Sequence, residues 1–342
     1  MPPSPTSAVT IEDIAREAGV HPGSVSRALR GVAGKVSRDT RERIVRIARE
    51  LGYQPNALAA SLRTKQSNLV AIIVPDIANP LFGPIVQGLE AELRKHSLMC
   101  LVAQTPEQPA SRRELVLALA NRQVSGLLVL AAESDDPMLK AALERSLPTV
   151  LVNRGFGEKR FPSVVNDDHE SVRLVLQHLR DLGHTRVAHI AGPPASSTGR
   201  ARRDAFVALA PAMGFRKPIV VEASAFTRAA GSQALRQLWK RSAKPTAIFA
   251  ANDLLALGAI EVLREAGVSV PRDVSIVGHN NMPLADLVDP PLTTVDIAAE
   301  QMSRQAAQLM LDTLREPQRV PTMLVLTPTL VVRRSTAAPP SR

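Results

Sequence analysis

Cysteine is nearly absent: Cys100 is the only one in 342 residues. That excludes an intrachain disulfide and any zinc site built on four cysteines. A lone thiol suits a reducing compartment, and Cys100 reads as a small buried hydrophobe. Aromatic residues make up only 3%, with one Trp and one Tyr, so the core must be largely aliphatic. No apolar run reaches the ~18 residues of a membrane span. The opening "MPPSPTSAVT" lacks the apolar stretch of a signal peptide. A cytoplasmic location is expected. Catalytic signatures are missing as well. No G-x-G-x-x-G follows a strand-like run, and there is no Walker loop, G-x-S-x-G elbow or H-E-x-x-H pair. "GPPASSTGR" lacks the Lys or third Gly of a phosphate loop. His178, His184 and His189 are scattered and read as structural. Neither an enzyme nor a cofactor or metal is expected.

What is present begins with charge. The net charge is +10, unevenly spread. Residues 1–66 carry 11 Lys/Arg against 6 Asp/Glu, while the other four-fifths of the chain contributes no larger an excess. Such density marks either a polyanion-binding module or a solvated basic face. The length suggests two or three domains, and 45% apolar residues suffice for a packed core.

The basic segment has helical spacing. Thr10 can cap a helix, with Asp13 three residues on completing a box-like start. Ile11, Ile14, Ala15 and Ala18 then share one face, and Gly19 ends the run. Pro22 stands at a first helical position, where its missing N–H costs nothing. Val25, Ala28 and Leu29 form the buried side of a second short helix. Ser37 caps a third, with Ile44, Ile47, Ala48 and Leu51 on one face and Gly52 after it. Three short helices with a tight Gly-containing turn between the first two make a helix-turn-helix, whose second helix enters the DNA major groove. Pro22, Gly23, Ser24, Ser26 and Arg27 would then face the groove. The arginine can bond a guanine or a phosphate. "YQPNALAASLRTKQSN" follows. It holds about two helical turns, too few to be stable alone in water. It reads either as a flexible linker or as a helix formed only against a partner.

Beyond residue 66, strand-like runs ("LVAIIV", "MCLVA", "GLLVLA", "TVLV", "RVAHIA", "IVV", "AIFAA", "VSIVG") alternate with amphipathic helices. This is the pattern of doubly wound parallel sheets. The eight runs divide into two sets of four, with "VVNDDHES" (164–171) as the crossover. Ligands of such sheets bind outside the carboxyl ends of the strands. Polar residues recur there: Asp76 and Asn79, Gln104, Asn153 and Arg154, Arg202, Asn252 with Asp253, and Asn280 with Asn281. The repetition points to a cleft between two lobes.

"TIEDIAREAGV", "VSRAL", "VSRDTRERI", "ELGYQPNALAASLRT", "IVPDIANPLF", "HLRDLGHTRVAHIAGPP", "PTAIFAANDLLALGAI", "VPRDVSIVG" and "DPPLTTV" follow one another from about residue 9 to 335. In these the chain resembles the lactose/galactose-repressor family of bacterial transcription regulators. The resemblance implies an α/β protein. A small all-helical helix-turn-helix headpiece would precede a two-lobed, doubly wound parallel-sheet body of periplasmic-binding-protein type. It implies a homodimer on a pseudo-palindromic double-stranded operator, most often as a repressor. The expected organisation is a disordered tail at 1–8, the DNA-binding domain at 9–54 and a hinge helix at 55–66. The body would span 67–335 and a second disordered tail 336–342. Lobe one would take 67–166 and 294–322, lobe two 167–293 and 323–335. DNA contacts are implied for Thr10, Pro22, Gly23, Ser24, Ser26 and Arg27. Asn56 and Ala59 would lie in the minor groove, with Leu62 wedged between base pairs. Effector contacts are implied for Leu81, Phe82, Asn153, Thr198, Arg202, Phe226, Asn252, Asp253 and Asn280. The stretches "NPLFGPIVQGLEAEL" and "NDLLALGAIEVLREAG" would pair in the dimer. The tail "RRSTAAPPSR" has no leucine heptad, so a dimer is expected and not a zippered tetramer.

Several positions depart from the family. It often has serine at His21, asparagine at Arg30 and arginine at Ala60. Pro22 and Gly23 have little side chain with which to read bases, which leaves DNA shape or methyl contacts. Many sugar-binding relatives have Asp where this chain has Asn153 and Asn280. With two amides replacing carboxylates beside Arg202 and Arg154, two effector classes stay open. One is anionic, a sugar acid or sugar phosphate. The other is a neutral sugar or polyol, with Asp253, Asp76 or Asp167 balancing Arg202.

Overall fold

The structure is a computed structural model, and it describes residues 9–29, 36–53, 67–133, 135–155, 160–241 and 244–340. The chain divides into two compact units, 1–67 and 68–342. The expected hinge helix at 55–66, with Asn56, Ala59 and Leu62, lies outside the described residues, as does the tail at 1–8.

The first unit is built from α1 (Ile11–Ala18), α2 (Pro22–Leu29) and α3 (Arg38–Glu50). Thr10 and Asp13 form a reciprocal capping box, and Gly19 closes α1 in the left-handed region at φ 62°. Ser37 caps α3 by accepting from the Thr40 N–H at 3.3 Å. Ile14, Ala15, Ala18, Val25, Ala28, Ile44, Ile47 and Ala48 form the core, with Ile11 and Leu29 packed at its edge. Leu51, expected inside, is the C-cap residue of α3 and is 39% exposed, because the chain has left the helical face there.

The second unit contains two six-stranded sheets among the described residues. Sheet one holds β1 (Leu69–Val74), β2 (Met99–Gln104), β3 (Gly126–Val129), β4 (Thr149–Asn153), β5 (Ser163–Asn166) and β11 (Met323–Leu326), in the order β11-β5-β4-β3-β1-β2. Sheet two holds β6 (Val187–Ala191), β7 (Ile219–Glu222), β8 (Ala247–Ala250), β9 (Ser275–Asn280), β10 (Thr293–Asp296) and β12 (Thr329–Val331), in the order β12-β10-β9-β8-β6-β7. All pairs are parallel except β10 with β12. Crossover helices cover both faces, so the strands read as continuous apolar runs. In β1, Val70, Ile72 and Val74 pack toward α4 (Phe82–Arg94) and α11 (Ala299–Arg315). Ala71 and Ile73 pack toward α5 (Pro109–Asn121) and α6 (Pro137–Glu144). Sheet two repeats the plan. Its helices are α7 (Asp168–Asp181) and α8 (Ser197–Ala212) on one face, α9 (Arg228–Trp239) and α10 (Asp253–Glu265) on the other.

The eight expected strands become twelve. β5 is the front of the stretch read as a crossover, and β10, β11 and β12 are runs of three or four residues. The lobe boundaries shift with them. β10 stays in sheet two through Asp296, whereas β11 belongs to sheet one. The chain therefore passes between lobes after Asn166, Asp296 and Leu326, not at 293–294 and 322–323. The C-terminal tail is also more ordered than expected. Thr336 bonds His178 Nε2 at 3.0 Å, and the Ala337 N–H donates to Ser275 Oγ at 3.0 Å. Buried polar groups of lobe two need these partners.

Candidate functional site

In the first unit, α2 starts at Pro22 as the spacing requires, but its first turn has an unforeseen cap. The Gly23 N–H donates to His21 Nδ1 at 3.1 Å. His21, where the family often has serine, thus supplies the acceptor that an N-terminal turn lacks. Val25 is fully buried and anchors the helix. Pro22, Gly23, Ser24, Ser26 and Arg27 are partly exposed along it, and Thr10 is exposed at the start of α1. Arg27 Nη2 donates to Ser24 Oγ at 3.3 Å, while its buried Nε has no partner.

In the second unit, the carboxyl ends of the strands of both sheets converge on a small cavity. Asn79, Leu81 and Phe82 come from the loop after β1 and the start of α4; Asn153 and Arg154 end β4. Thr198 and Arg202 come from α8, Phe226 follows β7, Asn252 follows β8, and Asn280 ends β9. Eight of the nine expected effector residues are thus brought together; Asp253 is not among them. Asn79 and Arg154 join the eight. Among the described residues, contacts that cross from lobe to lobe include a backbone bridge between Glu133 and Ser196, and the Arg154 guanidinium 5.5 Å from the Phe226 ring centroid.

Local backbone explains several placements. β4 and β9 hold equivalent places in their sheets, and both end on an asparagine with positive φ, 66° at Asn153 and 110° at Asn280. Asparagine enters that region more readily than most residues. Phe226 reaches the cleft because Gly192 has no Cβ; one there would lie 2.3 Å from its ring. Asn252 caps α10, accepting from the Leu255 N–H at 2.9 Å, and its amide points to the Phe226 carbonyl.

Charge is distributed differently from expectation. Arg202 is 2% exposed and paired with a carboxylate. Its Nε donates to Asp168 Oδ1 at 2.7 Å and its Nη1 to the Ala251 carbonyl at 2.6 Å. The balancing carboxylate is Asp168, and not Asp253, Asp76 or Asp167. Burial holds Asp168 above the usual carboxylate range, with Arg202 opposing. Asp167 instead caps α7, accepting from the Glu170 N–H at 2.8 Å, and Asp76 accepts from the Ala78 N–H in its own loop. Asn281 is likewise turned away, bonded to Asp296 and Arg333. Behind Arg202 lie His189 and His279, both fully buried, with burial pushing His189 down to about 3 and His279 well below its ordinary value. His189 stacks on Phe249, and neither ring acts as a cation. His184 bonds Thr246 and the Ala337 carbonyl, so the expected structural role of these histidines matches their contacts.

Asp253 lies outside the cavity lining for a clear reason. Its carboxylate turns into lobe two, accepting from the Met282 N–H at 2.8 Å and from the Thr294 hydroxyl. Gly278 makes the room, since a Cβ there would sit 2.2 Å from Asp253 Oδ1. Burial pushes its pKa up to about 7, against the hydrogen bonds that lower it. A carboxyl raised above its unfolded value near ~3.9 favours the folded state fully at pH below that value. The contribution is lost as pH rises through about 7. Melting temperatures measured from pH 4.5 to 8 should therefore fall more steeply for the native protein than for Asp253→Asn. Parallel curves would contradict the assignment.

With this geometry in view, comparison with known proteins is direct. Residues 10–56 match the family model "Bacterial regulatory proteins, lacI family", and 176–336 match "Periplasmic binding protein-like domain". The HTH-type transcriptional repressor CytR of Escherichia coli (strain K12) is 31% identical over 338 residues, 98% of each chain. The chain belongs to the lacI family. It is a DNA-binding transcription regulator with an effector-binding body, and not an enzyme. Within the family it is also similar to the HTH-type transcriptional regulator CelR of Thermobifida fusca, 35% identical over 335 residues, 95% of this chain and 98% of CelR. A solved CelR–cellobiose complex matches 96% of this chain and 99% of its own at TM-score 0.74 and 33% identity. A lac repressor dimer bound to operator and the anti-inducer ONPF matches 97% and 100% at TM-score 0.85 and 27% identity.

Proposed function

We propose that this lacI-family regulator acts as a homodimer on a pseudo-palindromic operator, under control of one sugar-like effector bound between the lobes of each protomer. The observation that carries the reading is the cavity itself. Both sheets contribute walls, and it is edged by buried polar atoms without partners, Asn153 Oδ1 and Arg154 Nε. Such orphaned groups are rare and call for a ligand or water. The relatives bound to cellobiose and to operator support the same division of labour.

In this reading, Thr10, Pro22, Gly23, Ser24, Ser26 and Arg27 meet DNA from the headpiece, and Asn56, Ala59 and Leu62 from the hinge. The cleft is read by Leu81, Phe82, Asn153, Thr198, Arg202, Phe226, Asn252 and Asn280, without Asp253. Three chain passages join the lobes, so a ligand touching both sides selects one lobe angle. That angle is passed to the paired hinge segments. Exposed apolar residues support the homodimer. Met99 is 72% and Val102 40% exposed on the edge strand β2, and Leu284 and Leu287 are 64% and 75% exposed after β9. Residues this apolar are usually covered. A cytoplasmic site of action goes with the role. Among the described residues, no helix is long and apolar enough to cross a membrane.

A duplex selected from a random pool should bind two protomers, and a cleft ligand should change its affinity. Binding of one protomer per duplex, or no sequence selection, would contradict the reading. Affinity should also fall steeply with salt, as phosphate contacts release counterions.

A further inference from the structure

Arg154 and Arg202 line the cleft and Arg112 influences Arg154 electrostatically; Arg202 and Arg112 are already committed. Arg202 holds Asp168 and the Ala251 carbonyl. Arg112 holds Glu133 and Asp136 together. Arg154 is different. It is 8% exposed, lines the cavity, has no carboxylate partner among the described residues, and its Nε lacks any partner. The acid with most influence on it, Glu133, is bonded to Arg112. Burial pushes Arg154 down to about 10. The face of Phe226 gives it some relief, but a buried guanidinium without a counterion is a costly arrangement.

Beside it, Asn153 Oδ1 is buried and equally unpaired. An amide oxygen needs a donor, which a ligand hydroxyl supplies; a guanidinium needs an acceptor, best an anionic one.

We infer that the effector is a hydroxylated anion, and that Arg154 is the side chain that reads its charge. This rests on the cleft being the effector site. The anionic group is a carboxylate or a phosphate monoester, and the two are separated by the ligands tested.

The test compares the full-length protein with Arg154→Met in thermal-shift and calorimetric titrations. The probes are gluconate and galacturonate, glucose 6-phosphate, and the neutral glucose and galactose. The expected result is that an acid or the phosphate binds and its neutral counterpart does not. Arg154→Met should weaken that anion by about tenfold to a hundredfold, the worth of one charge-assisted contact. One readout needs no ligand. Removing an uncompensated buried cation should raise the melting temperature of the ligand-free protein, whereas a structural arginine would lower it when lost. A neutral sugar that binds as well as its acid, or an anion indifferent to Arg154→Met, overturns the inference but leaves the cleft as effector site. If no probe binds, the ligand-free melting temperature decides: a rise upholds the unpaired cation, and a fall overturns it. Loss of the effector reading itself shows separately, as a ligand found by any screen that competes with nothing in the cleft.

Discussion

Arg202→Met should lower the melting temperature of the body by roughly 10 °C and remove its response to a cleft ligand. Replacement keeps most of the side-chain volume but leaves Asp168 facing a dry interior. Breaking one side of a buried ion pair costs about 3–5 kcal/mol, and a domain approaching this size loses roughly 2–4 °C per kcal/mol. The Ala251 carbonyl at the end of β8 loses its donor as well. The loss is concentrated on Asp168, so it can be relieved there. Arg202→Met combined with Asp168→Asn should recover much of the melting temperature and none of the ligand response. Differential scanning calorimetry of both variants checks this. A single variant melting within a degree or two of the native protein would show that the pair contributes no stability.

Ile14→Ala should abolish operator binding while leaving the body intact. Ile14 is fully buried among eight core residues of the headpiece, six of them on α1 and α3 and two on α2. Truncating a core isoleucine costs about 2–5 kcal/mol. A unit of some 60 residues buries too little surface to hold such a reserve. The recognition helix α2 depends on this core through Val25 and Ala28 alone among its buried residues. Operator affinity should therefore fall at least about a hundredfold, the equivalent of ~2.7 kcal/mol. The melting of the second compact unit and its ligand affinity should not move. Fluorescence anisotropy on a selected duplex and thermal melts check the two halves. Unchanged operator affinity would remove the headpiece from the DNA contact.

The parts of this architecture that were legible in sequence are those governed by local rules. Thr10 with Asp13, Gly19, Pro22 and Ser37 each follow from what a helix end requires, and each stands where expected. The long strands β1 and β9 are visible as apolar runs because helices cover both faces, while β2 shows an apolar run although it is an exposed edge. β5, β10, β11 and β12 were not visible, since their place is decided by pairing with distant strands. Asn79, Asn153, Arg154, Arg202, Asn252 and Asn280 were legible as polar groups following apolar strands, whereas Leu81, Phe82, Thr198 and Phe226 came only from the family resemblance. The partners of the polar groups were not legible. Asp167 and Asp168 are adjacent and chemically alike, yet one turns to cap α7 and the other to Arg202. Asp253 follows Asn252 directly, but the helix that Asn252 caps carries Asp253 to the opposite side. That Arg154 and not Arg202 is the unpaired cation depends on this choice among carboxylates.

The proposed function requires that the cleft and the DNA surface be energetically coupled. The direct test is a closed thermodynamic cycle. Operator affinity is measured by anisotropy with and without saturating effector, and effector affinity by calorimetry with and without saturating operator. Coupling is reciprocal, so the two ratios should be equal and differ from one, typically by about 5–150-fold. A ligand that binds in the cleft and leaves operator affinity unchanged would contradict the account.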